Sequence, residues 1–180
     1  LPGNEAQIAS LHRCGCPAFK AFVSDAGPDY PKSDSFALLK GMEAVKAVGG
    51  VFAAHAEDQK LVDGFTAEQR KEPWSLKKHD KARPWIAELS AIHQLLFFAR
   101  LTGCALHICH PSIPEGVELV NEARAKGVDV SIETCPHYLL FDNESIAHTG
   151  SYSLIAPPIR SRERVEKMWE LVKNGSIDYI

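Results

Sequence analysis

Residues 85–112 read WIAELSAIHQLLFFARLTGCALHICHPS. The first seventeen carry an apolar stripe at helical spacing and have the length of a core-facing helix, with Gly103 placed to cap it. Almost at once comes a short apolar run, CALHIC, that ends on His110 and breaks into Pro111-Ser112. A helix followed so closely by a buried strand with a polar end is one unit of an alternating β-α chain.

The same alternation extends in both directions. Apolar runs of strand length lie at 18–23, 51–54, 104–109 and 128–134, with a last one at 177–180, and helical patterns fall near 36–48, 85–101, 114–126 and 162–173. Strands separated by helices predict a parallel sheet. The chain opens on a helix-like segment (4–14) without a Met and stops at Ile180 inside an apolar run. Four β-α units and a stub would leave sheet edges open, so the expectation is a piece of a larger closed structure. A (β/α)8 barrel needs about 250 residues. The predicted fold is therefore α/β, a partial TIM-type barrel of roughly strands 4 to 8. Residues 1–180 would form one catalytic-barrel fragment lacking the first strands, the end of the last strand and any flanking β-domain.

Composition narrows the function. The 180 residues are 45% hydrophobic and 24% charged with a net charge of −3, ordinary for a globular domain, and no basic run invites nucleic acid or an anionic membrane. No stretch has the length of a membrane span or the make-up of a signal peptide, so the reading is a cytoplasmic protein acting on small molecules. The five cysteines are odd in number, and three lie in or beside apolar runs, which suits reduced, packed thiols. Cys14-Gly-Cys16 reads as a turn.

Catalytic groups of a β-α barrel sit at the C-terminal ends of its strands. Here VFAAH ends on His55 and runs into Ala56-Glu57-Asp58; CALHICH ends on His110; VSIETCPHY ends in Cys135-Pro136-His137-Tyr138. The first strand, AFKAFV, holds Lys20 in its middle. A buried lone ammonium is costly unless paired, neutralised or modified, whereas an edge-strand lysine reaching solvent is a common way to blunt a sheet edge. Lys, His and His on consecutive strands form a metal-site composition, which Lys20 joins only by losing its charge, as carbamylation by CO₂ would achieve. His107 has the opposite parity to His110, so only one of the two should face the barrel axis directly. His137 lies past its strand and fits a packing or supporting role, and His12, His79, His93 and His148 fall on helices or loops and read as solvated.

FKAF, HAED, RPWIAE, LHICHPS, ETCPHYLLFD and APPIR, in this order and spacing, resemble the cyclic amidohydrolases, a family that includes allantoinase, dihydropyrimidinase (hydantoinase) and dihydroorotase. The resemblance covers essentially the whole chain. It implies two divalent ions on the barrel rim, zinc first with cobalt, manganese or nickel as alternatives, bridged by a carbamylated lysine matched by Lys20. His55 and His110 match the two histidine ligands of one ion. The family's His-x-His pair and its catalytic aspartate are not in the sequence; the aspartate is expected just after Ile180, so no catalytic residue beyond the metal ligands is expected here.

The resemblance is nearer to allantoinases: Asp25 stands where hydantoinases carry a tyrosine, while Pro111 and Ile155 depart from the usual pattern. It implies hydrolysis of (S)-allantoin to allantoate, a cyclic ureide reaction of purine catabolism. Ser112, Ala156 and Pro157 would help to hold the substrate, and the protein would be a homo-oligomer, by resemblance a homotetramer. The alternatives are a hydantoinase, dihydropyrimidinase or dihydroorotase and, outside enzymes, a non-catalytic dihydropyrimidinase-like assembly protein.

Overall fold

A computed structural model describes residues 2–71, 73 and 75–180. Four strands, β1 (Ala18–Phe22), β2 (Val51–His55), β3 (Ala105–Cys109) and β4 (Val130–Ile132), form one parallel sheet in chain order. Helices α1 (Ile8–Arg13), α2 (Ser35–Ala47), α3 (Gln59–Gln69), α4 (Leu76–Ala82), α5 (Trp85–Thr102), α6 (Pro114–Ala125), α7 (Pro136–Leu140) and α8 (Arg162–Lys173) lie between and after them. Among the described residues no helix is long and apolar enough to cross a membrane.

Strand alternation divides the chemistry between two faces. Phe52, Ala54, Leu106, Ile108, Val130 and Ile132 are buried in the main core with α2, α5, α6 and α8, to which Leu38, Met42, Val45, Ile92, Leu95, Val117, Val120 and Met168 contribute. On the other face the register aligns Lys20, Ala53, His107 and Ser131 in one row, and Phe22, His55 and Cys109 in the row above.

Helix α5 buries Ala87, Ala91, Ile92, Leu95 and Ala99 and ends at Gly103, whose φ of 67° is the left-handed conformation a helix cap requires. Its amide donates to the Ala99 carbonyl at 2.8 Å. The turn expected at Cys14-Gly15-Cys16 is present, with Gly15 at φ 98°.

Three helices differ from the sequence expectation. Helix α3 buries only Val62 and has no broad apolar stripe; it starts because Asp58 caps it, accepting from the Lys60 and Leu61 amides at 2.9 and 3.3 Å. Short helices α4 and α7 lie outside the four helical patterns of the sequence, α7 beginning on Pro136 at its first turn. The run at 177–180 makes a single parallel bridge, Tyr179 to Glu133, rather than a strand. Asp178 ties it to β4, pairing with Arg124 and accepting from the Ile132 amide at 2.7 Å.

Ile92 is fully buried between α5 and α6, its Cδ1 2.6 Å from where a Gly116 side chain would begin. Ile92→Ala should lower unfolding free energy by about 2–5 kcal/mol. The measurement is the shift of the urea midpoint at unchanged slope.

Candidate functional site

The open sheet face carries the candidate site. His55 ends β2 at 5% exposure. His110 follows β3 with φ 39°, a left-handed conformation uncommon outside glycine. That twist breaks strand alternation and returns the imidazole over the open face. Its Nε2 stands 3.3 Å from Lys20 Nζ and its ring centroid 5.1 Å from that of His55. The backbone beyond it is pinned from two sides: Thr134 Oγ1 donates to the Pro111 carbonyl at 3.0 Å, and the Ser112 amide donates to Glu88 at 2.9 Å.

Electrostatics keep this cluster ready for a cation. Burial, then the nearby Lys20 and His55, push the His110 imidazole down to a pKa of about 4, so it is neutral with a lone pair at pH 7. Its Nδ1 is buried without a hydrogen-bond partner among the described residues. His55 Nε2 donates to Glu57 at 2.8 Å, leaving Nδ1 as the nitrogen for a ligand. Glu57 has no exposure; burial alone would raise its pKa, but hydrogen bonds from His55 and Arg83 outweigh that and hold it at about 2. Arg83 grips Glu57 through Nη2 at 2.5 Å and Nε at 3.0 Å, and reaches Ser24 at 3.4 Å.

A second charged layer lies behind. Arg160, 3% exposed, donates to Glu88 at 2.6 Å, Asp80 at 2.6 Å, Ser112 Oγ at 2.9 Å and the Arg83 carbonyl at 2.8 Å. Ser112 Oγ donates in turn to Glu88 at 2.5 Å. Burial works against the Arg160 charge, but the carboxylates of Glu88 and Asp80 more than offset it and raise its pKa.

Several expectations need correction. Of the two readings of Lys20, the structure shows the edge-strand one: its side chain is exposed on the open face. The parity argument for His107 fails because the His110 backbone leaves the strand pattern. His107 shares a row with Lys20 on the open face, with Nδ1 2.8 Å from Ser131 Oγ. Ser112, expected at the substrate, is 2% exposed with its hydroxyl and amide occupied by Glu88 and Arg160, so it is an internal strut.

Pro157 is buried and its carbonyl accepts from Tyr138 at 2.7 Å; of the expected pair only Ala156 is exposed. His79 is not solvated: Nε2 donates to the Ile155 carbonyl at 2.7 Å, bracing the same loop. His137 packs edge-on against Tyr138, and His93 and His148 are exposed as expected.

Glu57, Arg83, Glu88 and Arg160 stand within HAED, RPWIAE and APPIR, and the sequence pattern alone gives them no role. The available signal was charge: carboxylates and arginines beside apolar runs that have no cheap way to be buried except together.

Comparison with known proteins bears on this arrangement. No protein-family model matches the chain. Curated allantoinases from Solibacter usitatus and Rubrobacter xylanophilus are each 38% identical over 182 residues, spanning 100% of this chain and 40% of each relative. An allantoinase from Escherichia coli O1:K1 is 35% identical over 97% of the chain. The L-hydantoinase (dihydropyrimidinase) of Arthrobacter aurescens superposes with a TM-score of 0.96 at 29% identity, covering 99% of this chain and 40% of that one. Over its whole length the chain is similar to cyclic amidohydrolases.

It spans about 40% of the length of the curated relatives it matches. A solved D-hydantoinase aligns over 98% of this chain with a TM-score of 0.91 at 25% identity. The dihydroorotase of Campylobacter jejuni, at 14% identity and a TM-score of 0.67, shares the fold alone. The parallel sheet is thus part of a TIM-type barrel, and its open face is the barrel's inner face.

Glu57 also sets a pH window. Its folded pKa lies below the ordinary 4.5, so the stabilisation it brings is complete above pH 4.5 and is lost as pH falls towards 2. The shift corresponds to about 3 kcal/mol. In metal-free protein the urea midpoint should fall steeply across that window, and Glu57→Gln should flatten the fall while lowering stability at pH 7. An identical acid profile in the variant would contradict the assignment.

Proposed function

We propose that the protein is a metal-dependent cyclic amide hydrolase and that its substrate is (S)-allantoin, opened to allantoate. The observation that carries this reading is the convergence of Lys20, His55 and His110 on one face, with both imidazoles arranged to offer a lone pair. The likeness to curated allantoinases supports the substrate.

The donor set fits a divalent ion: two imidazoles, that of His110 neutral and with an orphaned buried nitrogen, and a lysine that would become an anionic bridge once its amine had taken up CO₂. Two ions, zinc first, when bound would supply a water acidic enough to attack near neutral pH and would polarise the amide carbonyl. His55 and His110 would ligate one of them, and carbamylated Lys20 would bridge both.

Glu57 holds the His55 ring in the tautomer with Nδ1 free, and Arg83 keeps Glu57 ionised. Ser112 and Arg160 fix the backbone two residues beyond His110. Exposed Ala156 offers its backbone to a ureide ring, on a loop braced by Tyr138 and His79. The proton for the leaving nitrogen is assigned to the aspartate that the family resemblance places beyond Ile180.

Asp25 favours allantoin over hydantoins. Its carboxylate accepts from the Lys32 amide at 2.9 Å and its own amide donates to Gln59 at 2.6 Å, so it closes a polar loop where hydantoinases present a tyrosine ring. A hydantoinase or dihydropyrimidinase is the second reading, favoured by the superposition on those structures.

The test is turnover of allantoin, dihydrouracil and dihydroorotate by the purified full-length protein loaded with zinc, since residues 1–180 alone, without the family's His-x-His pair and aspartate, are expected to be inactive. Allantoin should be the best substrate. Lys20→Ala, His55→Ala and His110→Ala should each lose more than the roughly 10–100-fold that supporting residues cost. A short carboxylic acid should partly restore Lys20→Ala. Full activity in that variant removes the bridging role, and preference for dihydrouracil transfers the assignment to the second reading.

A further inference from the structure

Beside the Lys20, His55 and His110 group lies a different cluster. His107 and Cys109, two residues apart on β3, face the same side, and Glu133 follows β4 next to them. One nitrogen of His107, the Cys109 sulfur and a Glu133 oxygen all lie within 4.8 Å of one another. His107 Nε2 is 3.5 Å from Glu133 Oε2. Ligand atoms around a tetrahedral zinc-type ion are roughly 3.3–3.8 Å apart, given bonds of about 2.0–2.3 Å, so small side-chain shifts would close the set.

The orientation of His107 supplies an independent observation. Its Nδ1 is held 2.8 Å from Ser131 Oγ, which turns Nε2 towards the carboxylate and the thiol. Metal-bound histidines are steered in this way by a partner on the ring nitrogen that does not ligate. A simple His-Glu ion pair would need neither the buried thiol nor that restraint.

We propose that His107, Cys109 and Glu133 form a binding site for a thiophilic divalent cation, with water completing the coordination. A set of one nitrogen, one sulfur and one carboxylate oxygen selects zinc-like ions over magnesium or calcium. Lys20 lies against Cys109, so the site borders the Lys20, His55 and His110 cluster without sharing a ligand with it. The inference is independent of the hydrolase reading.

Cobalt(II) separates the two sites, because sulfur ligation gives an intense near-ultraviolet charge-transfer absorption and the Lys20, His55 and His110 group contains no sulfur. Chelator-treated protein titrated with cobalt should develop this band. Cys109→Ser should abolish it, while Cys135→Ser should retain it. Glu133 is half-buried and its replacement disturbs little packing, so Glu133→Gln should fold and bind the sulfur-ligated cobalt at least about ten-fold more weakly. Absence of the band at saturating cobalt, its survival in Cys109→Ser, or unchanged affinity in Glu133→Gln overturns the proposal.

Discussion

The buried pairing of Arg160 with Glu88 is the constraint on which the site depends. A guanidinium carries five N–H donors in a fixed fork, and burying it is tolerable only if those donors find oxygens. Arg160 finds them on α4, on the α4–α5 junction, on α5 and on the loop after β3. One side chain thereby fixes the relation between its own loop and four other segments. Removing either partner would leave an uncompensated buried charge, worth about 3–5 kcal/mol. Because Ser112 is one of those partners, the position of His110 is set by the same interaction.

The sheet keeps its two faces chemically apart. Residues towards the helices are aliphatic or aromatic and close a dry core, while those towards the barrel axis include amine, imidazole, thiol and carboxylate. Such groups cannot be dispersed through an apolar interior without large desolvation costs. Gathered on one inner face they can neutralise one another or hold cations. The Glu57–Arg83 pair extends this logic one layer outward: an ionised carboxylate, costly to bury, is stabilised by an arginine on one side and spends its remaining capacity on the ring of His55.

Much of this was legible in the residues. The β-α alternation, the long α5 helix with its glycine cap, and the meeting of Lys20, His55 and His110 followed from apolar periodicity and from polar residues at strand ends. What escaped had physical causes. Helix α3 depends on the Asp58 cap rather than an apolar stripe, so periodicity is nearly silent there. The placing of His107 was misjudged because parity presumes a regular strand, and His110 has left it. Ser112 looked like a ligand contact because a hydroxyl next to a metal-type histidine is available in sequence; in space Arg160, forty-eight residues later, has already claimed it. Interactions at that separation are set by tertiary packing and leave no local mark.

The left-handed backbone at His110 places the proposed cation binding in conflict with folding. A side chain bearing a β-carbon is held in that conformation at a cost of about 1–3 kcal/mol, which glycine would avoid. The residue that aims an imidazole at Lys20 is therefore one that backbone energetics alone would replace. In a lineage released from the need to bind a cation, this position should be among the first to change, and the change would make the barrel more robust.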